Sequence, residues 1–583
     1  MNNQRVFVVS GLTILALGLA CASMLNVHVH PQTVVAAEGA SALAAVLGFC
    51  LCLAGTSDTR IGFGYLPCLI VGLVVVCLAW QLRIPGLGYA LYLSLLLLCY
   101  MLGGMAAETR GVAFLAAGML GCAWLQSLAG LAQLSGWTFG GLVMQKMYLQ
   151  AFGNVGQANH YADLIFIGLG ALCYLFSQFP LRRWWVSTGT LVLAFWLTLA
   201  AAASASRGTL LYTGLFLVIG ALACWRGRHD LRVREMGLAL LSVGVLSVIS
   251  QGLVTFGHIL NAFDVTTAID RAGDAGSNGQ RLYNWGAALQ AIKAHPWIGQ
   301  GPATFYKASI DAMFTTAPAS FPKFAEHAHN LPLNMGAEFG LPVSVVVLGG
   351  LGIWYLRLML KKLTTGALLD LACVGVVGLH SMVEYPLWYT YFLVPVGLCI
   401  GIADHEGGAD SLLVLPRWVG GAAAVLALAC LAWVGWDWAA VYKAYGALAA
   451  GEPETTMAQR LSARAELARI SRFSVFTTQA EGLRLQSWHP DEGHPDRQAA
   501  QCDAHWQYKP AWFMMMRCAE AYAETERKAS LERIAVALCD GFSGYRPDLR
   551  EWAANYDERR EEKQGQGDRG LSGVPIMGRA CLR

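Results

Sequence analysis

The stretch Leu87–Ala106, LGYALYLSLLLLCYMLGGMA, contains 20 residues and no charged side chain. Because a helix of about 20 apolar residues spans the hydrocarbon core of a bilayer, this stretch predicts a transmembrane helix. Twelve further stretches have the same character, and they lie near residues 6–26, 37–55, 64–82, 111–133, 161–179, 184–204, 208–225, 236–257, 339–357, 364–383, 387–403 and 417–436. The sequence therefore predicts an all-α polytopic membrane protein with about 13 transmembrane helices.

The charged residues are unevenly distributed along the chain. Only 14% of the 583 residues are charged and 56% are hydrophobic, whereas about 25% charged residues is typical of soluble proteins. Residues 437–583 contain 20 Lys and Arg and 21 Asp and Glu, more than half of all the charges. We therefore expect a transmembrane domain at residues 1–436 and a helical soluble domain at residues 437–583. The net charge of +3 gives no indication of nucleic-acid binding.

The basic residues predict the orientation of the chain in the membrane, because Lys and Arg are enriched in cytoplasmic loops. With the N-terminus inside, the inside segments include the pairs Arg182–Arg183 and Lys361–Lys362, whereas the short outside loops carry only Arg83, Lys146 and Arg207. An odd number of spans then puts the C-terminal domain outside. This orientation predicts a multi-pass protein of the bacterial inner membrane with a periplasmic C-terminal domain.

Two of the predicted outside loops are long, at residues 134–160 and 258–328. Long loops in a compact protein usually have a function, so we expect functional residues there. Within the second loop, residues 282–294 predict a short helix.

The tail, residues 437–583, contains four cysteines in a compartment that permits disulfides. One or two disulfides are expected among them, and their pairing stays open at this point. Residues 558–583 are charged and Gly-rich, and we expect them to be disordered. The four cysteines are Cys502, Cys518, Cys539 and Cys581.

A short polar segment, Glu326-His327-Ala328-His329-Asn330, precedes the tenth predicted span. A helix N-terminus keeps a nearby His neutral, which would suit His329 to act as a general base. The two His and the Glu could instead bind a metal, although side chains at i and i+2 of a helix point apart. A third interpretation makes the His residues ordinary polar groups at the membrane surface. Asn330 is also a residue type that is favoured as a helix N-cap.

Two arginines lie in the predicted outside loops. Arg207 falls in a tight turn between two spans, against the charge trend, and Arg281 precedes the helix at residues 282–294. Guanidinium groups bind phosphate oxygens through paired hydrogen bonds, so the two arginines could hold a pyrophosphate. Contact with lipid headgroups is an equally good interpretation for each arginine alone.

A group of polar side chains clusters at the outer end of the sixth predicted span. Amide groups suit hydrogen bonding to sugar or pyrophosphate oxygens, but they equally suit hydrogen bonds between membrane helices. The members of the group are Asn154, Gln157, Asn159, His160 and Asp163.

Glu384 and Tyr385 lie beside Pro386, where the eleventh and twelfth predicted spans meet at the outer face. These two side chains could position an acceptor hydroxyl. The neighbouring Trp388 and Tyr389 are better explained as members of an interfacial aromatic belt.

Several of these stretches resemble a known family. The pair His329-Asn330, followed by nine residues and then Gly340, resembles the signature of the O-antigen ligase superfamily. The stretches Gly153–His160 and His380–Leu387 resemble the protein O-oligosaccharyltransferase branch, which comprises the pilin-glycosylation ligases, and so does the large helical tail.

This resemblance implies a membrane glycosyltransferase of the GT-C class, which moves a glycan from undecaprenyl pyrophosphate to Ser or Thr of a periplasmic or pilus protein. It implies that His329 is the essential His, that Arg207 and Arg281 face the pyrophosphate, and that Tyr385 acts in protein glycosylation. A single in-line attack would invert the anomeric centre, so we expect an inverting reaction. Fixed Arg charges would replace a divalent metal, so we expect the reaction to need neither a metal nor a cofactor. Further candidates for substrate contacts are Asn154, Gln157, Asn159, His160, Asn330 and Glu384.

Three other functions are compatible with the same sequence. An O-antigen ligase acting on lipid A core, or a polysaccharide polymerase, would share the chemistry and differ in the acceptor. A transporter or flippase would predict paired charges deep in the spans, or broken spans repeated in the two halves, and the sequence has no such repeat. A scaffold for envelope assembly would leave His329 dispensable.

Overall fold

The computed structural model describes most of the chain, and its elements are almost all helices. The described residues are 3–28, 30, 33–56, 61–80, 86–179, 184–257, 259–260, 267, 275–316, 323–407, 411–448, 456–542 and 551. The predicted disordered end at 558–583, Cys581, Arg83 and the pair Arg182–Arg183 lie outside these residues.

Of the helices in the described residues, the first fifteen include every predicted span. They are α1 (Asn3–Cys21), α2 (Val35–Gly55), α3 (Tyr65–Trp80), α4 (Leu87–Glu108), α5 (Val112–Leu134), α6 (Ala158–Gln178), α7 (Trp184–Ala202), α8 (Gly208–Arg226), α9 (Leu231–Thr255), α10 (Ala275–Ala294), α11 (Phe305–Met313), α12 (Leu331–Leu360), α13 (Thr365–His380), α14 (Thr390–Glu406) and α15 (Arg417–Leu448). Five further helices follow in the part of the tail that the structure describes, namely α16 (Met457–Ile470), α17 (Thr477–Gln486), α18 (Pro495–His505), α19 (Trp512–Glu524) and α20 (Lys528–Gly541).

Ten helices of the described chain are long and apolar enough to cross a membrane. They are α1, α2, α4 to α9, α12 and α15, while α3 and α13 are shorter apolar helices. The last predicted span coincides in part with α15, and the twelfth coincides with the 17-residue α14. Each of the thirteen predicted spans therefore coincides with a helix, which confirms the all-α polytopic membrane fold.

Some helix boundaries differ from the prediction. Helix α6 begins at Ala158, so Asn159 and His160 lie in its first turn and not in the loop predicted at 134–160. The chain turns just before this helix at Gly156, whose φ of 78° is readily available only to glycine. Helix α10 contains the whole of the predicted helix at 282–294.

The chain forms two compact units. The first comprises Met1–Val76, Ala90–Asp274 and Val345–Ala432, and the second comprises Cys77–Tyr89, Ala275–Ser344 and Trp433–Arg583. The second unit therefore contains both the tail and the segment that precedes the tenth predicted span.

Close helix packing in the first unit depends on small residues. A Cβ atom on Gly11 of α1 would lie 2.8 Å from the carbonyl oxygen of Gly48 on α2, closer than real Cβ contacts. Small residues let membrane helices approach so closely that their backbones touch. Two short strands, β1 (Ile61–Phe63) and β2 (Leu413–Leu415), pair antiparallel in the same unit, with Gly62 opposite Val414.

The tail and α11 share one hydrophobic core in the second unit. Ile310 and Met313 of α11 are buried together with Met515, Tyr522 and Leu538 of the tail. This core contains large apolar side chains from both segments, so the tail folds together with the segment that carries α11.

A buried ion pair reinforces this packing. The Lys323 ammonium, 1% exposed, lies 3.4 Å from a carboxylate oxygen of Asp540 on α20. It is also 3.2 Å from the Thr316 hydroxyl and lies over the ring of Tyr283. A buried charge requires such partners, because removal of an ion from water is costly. The pair therefore fixes residue 323, six positions before His329, against the tail.

One disulfide joins Cys502 of α18 to Cys518 of α19. Cys539 on α20 is disulfide-bonded as well. The expectation of one or two disulfides in the tail is confirmed for the first pair, whose partners the sequence left open.

Candidate functional site

The second unit contains the polar segment that ends at Asn330. The Asn330 side-chain oxygen accepts a hydrogen bond of 3.0 Å from the N–H of Leu333, so Asn330 caps α12 as its residue type predicts. His329, immediately before the cap, has a φ of 52°, a conformation that is uncommon for residues with a side chain.

A second asparagine holds the segment from within the helix. The side-chain oxygen of Asn334, on the first turn of α12, accepts a hydrogen bond of 2.9 Å from the N–H of Ala328. His327 and Ala328 are both buried, whereas His329 is partly exposed. His329 is thus the more accessible of the two histidines, and the backbone on either side of it is held by hydrogen bonds at Ala328 and Asn330.

Helix α12 is interrupted at Gly340, whose φ of 79° and ψ of 167° are available essentially only to glycine. The turn Pro296–Gly301 packs against this interruption. The N–H of Leu341 donates to the Pro296 carbonyl at 2.8 Å, and the N–H of Gly301 donates to the Glu338 carbonyl at 2.9 Å. The nine residues between Asn330 and Gly340 are therefore a helical piece with a cap at one end and a break at the other.

Arg281 lies on α10, which packs against the same segment. Ala287, Ala288 and Ala291 of α10 form a buried cluster with Ala328 and Ala337. Small side chains at these positions allow the two segments to approach closely. The predicted Arg281 is partly buried on this helix.

One turn after Arg281, a fully buried asparagine was missed by the sequence reasoning. Neither amide atom of Asn284 has a hydrogen-bond partner among the described residues. Buried amides usually have a partner, and a single polar residue in an amphipathic helix gives no sequence signal of this kind.

In the first unit, Arg207 lies at the end of a tight turn between α7 and α8, as predicted. The turn is held from α6, because the Ser206 hydroxyl donates to the side-chain oxygen of Asn159 at 2.9 Å. It is also joined to the preceding loop, since the N–H of Ala151 donates to the Ala203 carbonyl at 3.0 Å. Asn159 therefore positions the turn that carries Arg207.

Asn154 is buried and its amide is occupied by backbone groups. The amide nitrogen donates to the carbonyls of Met24 at 2.9 Å and Leu142 at 2.6 Å, and the amide oxygen accepts from the N–H of Met144 at 3.0 Å. These bonds favour a role in holding loops together, and a contact of Asn154 with substrate stays a prediction. The amide oxygen of Gln157, by contrast, is buried without a hydrogen-bond partner among the described residues.

Two glutamines inside α5 hold the same loop, and the sequence reasoning missed them. Gln133 donates to the carbonyls of Met144 at 3.0 Å and Gly153 at 3.1 Å. The Gln126 side-chain oxygen accepts from the N–H of Asn154 at 3.0 Å. Polar residues seven positions apart in an apolar span are the signal that could have identified them, because such residues rarely face lipid.

His160 lies in a buried group of aromatic and polar side chains. Its Nδ1 shares a hydrogen bond of 3.1 Å with the Tyr391 hydroxyl, and its ring centre lies 4.6 Å from that of Tyr389. One turn further along α6, Asp163 is hydrogen-bonded to His380 Nδ1 and accepts a hydrogen bond of 2.6 Å from Tyr212.

Glu384 and Tyr385 lie on residues 381–389, which we call the Tyr385 loop. The carbonyl of His380 accepts hydrogen bonds from the N–H groups of Val383 and Glu384, both at 2.9 Å. The ring of Tyr385 stacks on that of Tyr389, with centres 6.0 Å apart. The loop thus places a buried carboxyl and a partly exposed phenol next to each other.

Across the described residues, no group of three or more His, Cys, Asp and Glu side chains has an arrangement that could hold a metal ion. His327 and His329 therefore do not belong to such a group.

Comparisons with known proteins bear on the same residues. Residues 192–348 match the family model described as O-Antigen ligase, and residues 151–176 match the model described as Protein glycosylation ligase. Residues 368–548 match the model described as Virulence factor membrane-bound polymerase, C-terminal. Over these residues the chain is similar to the O-antigen ligase superfamily and to protein glycosylation ligases. These three matches include all the candidate residues named above, from Asn154 to Tyr385.

Two curated relatives of the chain come from Acinetobacter baylyi. One is a General O-oligosaccharyltransferase, 24% identical over 276 residues, which are 45% of this chain and 45% of the relative. The other is a ComP-specific O-oligosaccharyltransferase, 25% identical over 263 residues, which are 44% of this chain and 45% of the relative. The chain therefore matches less than half the length of each relative.

Proposed function

We propose that the chain transfers a glycan en bloc from an undecaprenyl-pyrophosphate carrier to Ser or Thr hydroxyls of periplasmic or pilus proteins. The reaction takes place on the periplasmic side of the bacterial inner membrane. The observation that carries this proposal is the match of residues 151–176 to the model described as Protein glycosylation ligase, because that description names protein as the acceptor. The names of the two relatives support the same acceptor class.

His329 is the proposed general base. A Ser or Thr hydroxyl is a weak nucleophile, and a neutral imidazole would take its proton as the oxygen attacks the anomeric carbon. The new glycosidic bond forms while the bond to the pyrophosphate oxygen breaks, so a single attack inverts the anomeric centre. The left-handed backbone of His329, fixed between Ala328 and the capping Asn330, supports this role, because strained conformations are often found at functional sites.

Arg207 and Arg281 are the proposed ligands of the pyrophosphate. Charge develops on the leaving pyrophosphate in the transition state, and fixed guanidinium groups would stabilise it without a metal. The bond between Asn159 and Ser206 supports this assignment for Arg207, because it fixes the turn in advance of substrate binding. Glu384 and Tyr385 are the proposed contacts of the acceptor.

The test uses a glycan-deficient bacterial host that carries a lipid-linked glycan pathway and a pilin acceptor. The wild type and His329→Ala are compared at equal membrane levels, and His295→Ala, which alters an exposed histidine of the same unit, is the matched control. We expect the glycan mass on pilin Ser or Thr with the wild type and His295→Ala, and none with His329→Ala. Equal transfer by His329→Ala would contradict the mechanism.

A second function is favoured by the other two family matches. The models for O-antigen ligase and for a membrane-bound polymerase cover residues 192–348 and 368–548. If the wild type puts the glycan on lipid A core, the chain is an O-antigen ligase. If it lengthens the lipid-linked glycan, the chain is a polymerase. Movement of the lipid-linked glycan across vesicle membranes without any transfer would instead identify a flippase.

A further inference from the structure

A buried polar cluster in the first unit has no role in the proposed transfer. The carboxyl of Asp163 is fully buried, and it is hydrogen-bonded to His380 through one oxygen and to the hydroxyl of Tyr212 through the other. Three helices, α6, α8 and α13, supply one side chain each. Ionisable side chains inside membrane helices are costly, and they persist where they serve a function.

The cluster is directly connected to the Tyr385 loop. His380 is the last residue of α13, and its carbonyl accepts the N–H groups of Val383 and Glu384. The loop therefore starts on the same residue that Asp163 holds through its imidazole.

The other end of the loop is held from the same helix. The His160 ring packs against Tyr389, the last residue of the loop, with ring centres 4.6 Å apart. His160 also shares a hydrogen bond with Tyr391, just beyond the loop. His160 and Asp163 are three positions apart on α6 and so share one face of that helix.

We propose that the Asp163–His380 pair, braced by Tyr212, positions the Tyr385 loop for the acceptor. This inference rests on the proposed function. The three residues are positioning residues, since their effect reaches the substrate through the backbone of the loop. A shift of the loop moves Tyr385 and Glu384 together, whereas the turn that carries Arg207 is held separately by the hydrogen bond from Ser206 to Asn159. The acceptor step is therefore affected and the donor step is not.

Tyr212→Phe is the sharpest variant, because it removes only the hydroxyl that bonds to Asp163. Thr213→Val is its matched control on the next residue of α8. It removes a buried hydroxyl that shares a hydrogen bond, also 2.6 Å long, with Ser247 on α9. Tyr212→Phe loses one buried hydrogen bond, and Thr213→Val loses two, because the Thr213 hydroxyl also donates to the Thr209 carbonyl at 2.8 Å. Only the bond of Tyr212 is connected to the Tyr385 loop.

The first measurement is the kinetics of transfer with purified protein in detergent. We expect Tyr212→Phe to lower kcat/KM for the acceptor by about tenfold, the loss typical of a removed hydrogen bond to a carboxyl. The KM for the lipid-linked donor should stay unchanged. Thr213→Val should retain the wild-type values for both substrates. If the two variants behave alike, the proposal is wrong.

A second measurement reports the loop position without any transfer. Leu387 of the loop packs partly buried against the core of the first unit. Alkylation of a Leu387→Cys variant is followed by peptide mass spectrometry, alone and combined with Tyr212→Phe or Thr213→Val. We expect at least about threefold faster alkylation with Tyr212→Phe, because a released loop opens locally more often, and no change with Thr213→Val.

The two measurements separate the two hypotheses. If the wild type transfers no glycan but Tyr212→Phe still speeds alkylation, the proposed function fails and the positioning of the loop stands. If transfer proceeds but neither rate responds to Tyr212→Phe, the positioning inference is overturned and the function stands. Addition of Tyr212→Phe to the double variant Tyr385→Phe/Glu384→Gln should cause no further loss, since both groups that the loop positions are then already removed. Multiplied losses would place the effect elsewhere.

Discussion

Replacement of Gly340 by alanine tests whether the break in α12 at this glycine fixes the helical piece 331–339 that follows His329 and Asn330. At φ 79° and ψ 167°, a residue with a Cβ is strained by about 1–3 kcal/mol. The new Cβ would also lie 2.5 Å from the backbone carbonyl of Trp297. Relief of that contact separates the chain at Leu341 from Pro296, which loses a backbone hydrogen bond worth about 1 kcal/mol.

The sum predicts that Gly340→Ala lowers the free energy of unfolding by about 2–4 kcal/mol. The helical piece 331–339 would lose its fixed end, and His329 at the other end would move with it. We therefore expect the transfer rate to fall as well, by more than tenfold, since displacement by about 1 Å at a catalytic group costs about 100-fold in rate.

Gly349→Ala is the matched control, because it lies on the same helix with no atom within 4 Å of the added Cβ. It should leave transfer unchanged and keep or slightly raise stability, as alanine favours a helix over glycine. Gly299→Ala alters the opposite side of the same contact, because its Cβ would lie 2.3 Å from the backbone carbonyl of Glu338. This variant should behave like Gly340→Ala. Urea unfolding in detergent and pilin glycosylation measure the two effects. A Gly340→Ala protein that unfolds and transfers like Gly349→Ala would refute the reasoning.

Three further predictions concern the tail and the metal. Lys323→Met should lower the free energy of unfolding by about 3–5 kcal/mol, because it removes the cation from the buried Asp540 carboxylate. The double variant Lys323→Met/Asp540→Leu should recover most of that free energy. A double variant that is no more stable in urea than Lys323→Met would contradict this prediction. The Arg464 guanidinium lowers the pKa of Glu492, so this pair stabilises the fold above the unfolded-state pKa, and the contribution is lost as the pH falls through the lower folded-state pKa. The difference in unfolding midpoint between the wild type and Glu492→Gln should therefore shrink below about pH 5, and a constant difference would show that the pair does not contribute. Transfer should continue in excess chelator, and loss of activity that added metal restores would overturn the proposed role of the arginines.

The membrane helices were predictable because a single physical quantity, the length of an apolar run, decides them. Local rules were similarly reliable: Asn330 caps α12 as its residue type suggests, and residues 282–294 are helical. The beginning of α6 was less well predicted, since the turn at Gly156 depends on a backbone angle that the apolar pattern does not contain. The orientation of the chain in the membrane stays a prediction.

The pairing of distant residues was not predictable from the pattern. Asp163 and His380 are 217 positions apart, and nothing in either local sequence indicates that they share a hydrogen bond. The same is true of Ile310 and Leu538, which belong to the common core of α11 and the tail. Such contacts arise only when the helices pack. Most candidate site residues were accessible to sequence reasoning because they lie at helix ends or in loops, where polar residues stand out, although Arg281 lies inside α10.

The backbone around these candidates explains why so many buried amides surround them. Backbone N–H and C=O groups that leave a helix near a membrane must find partners in the protein, since lipid offers none. Gln126, Gln133 and Asn154 supply those partners to the loop before α6, and each of them bonds to main-chain atoms. The irregular loop can persist beside the spans only while these amides are present. Replacement of Gln133 by leucine should therefore disturb the loop before α6 although it adds apolar surface to α5. The polar residues that hold the loops therefore differ from those, such as His329, that remain accessible to a substrate.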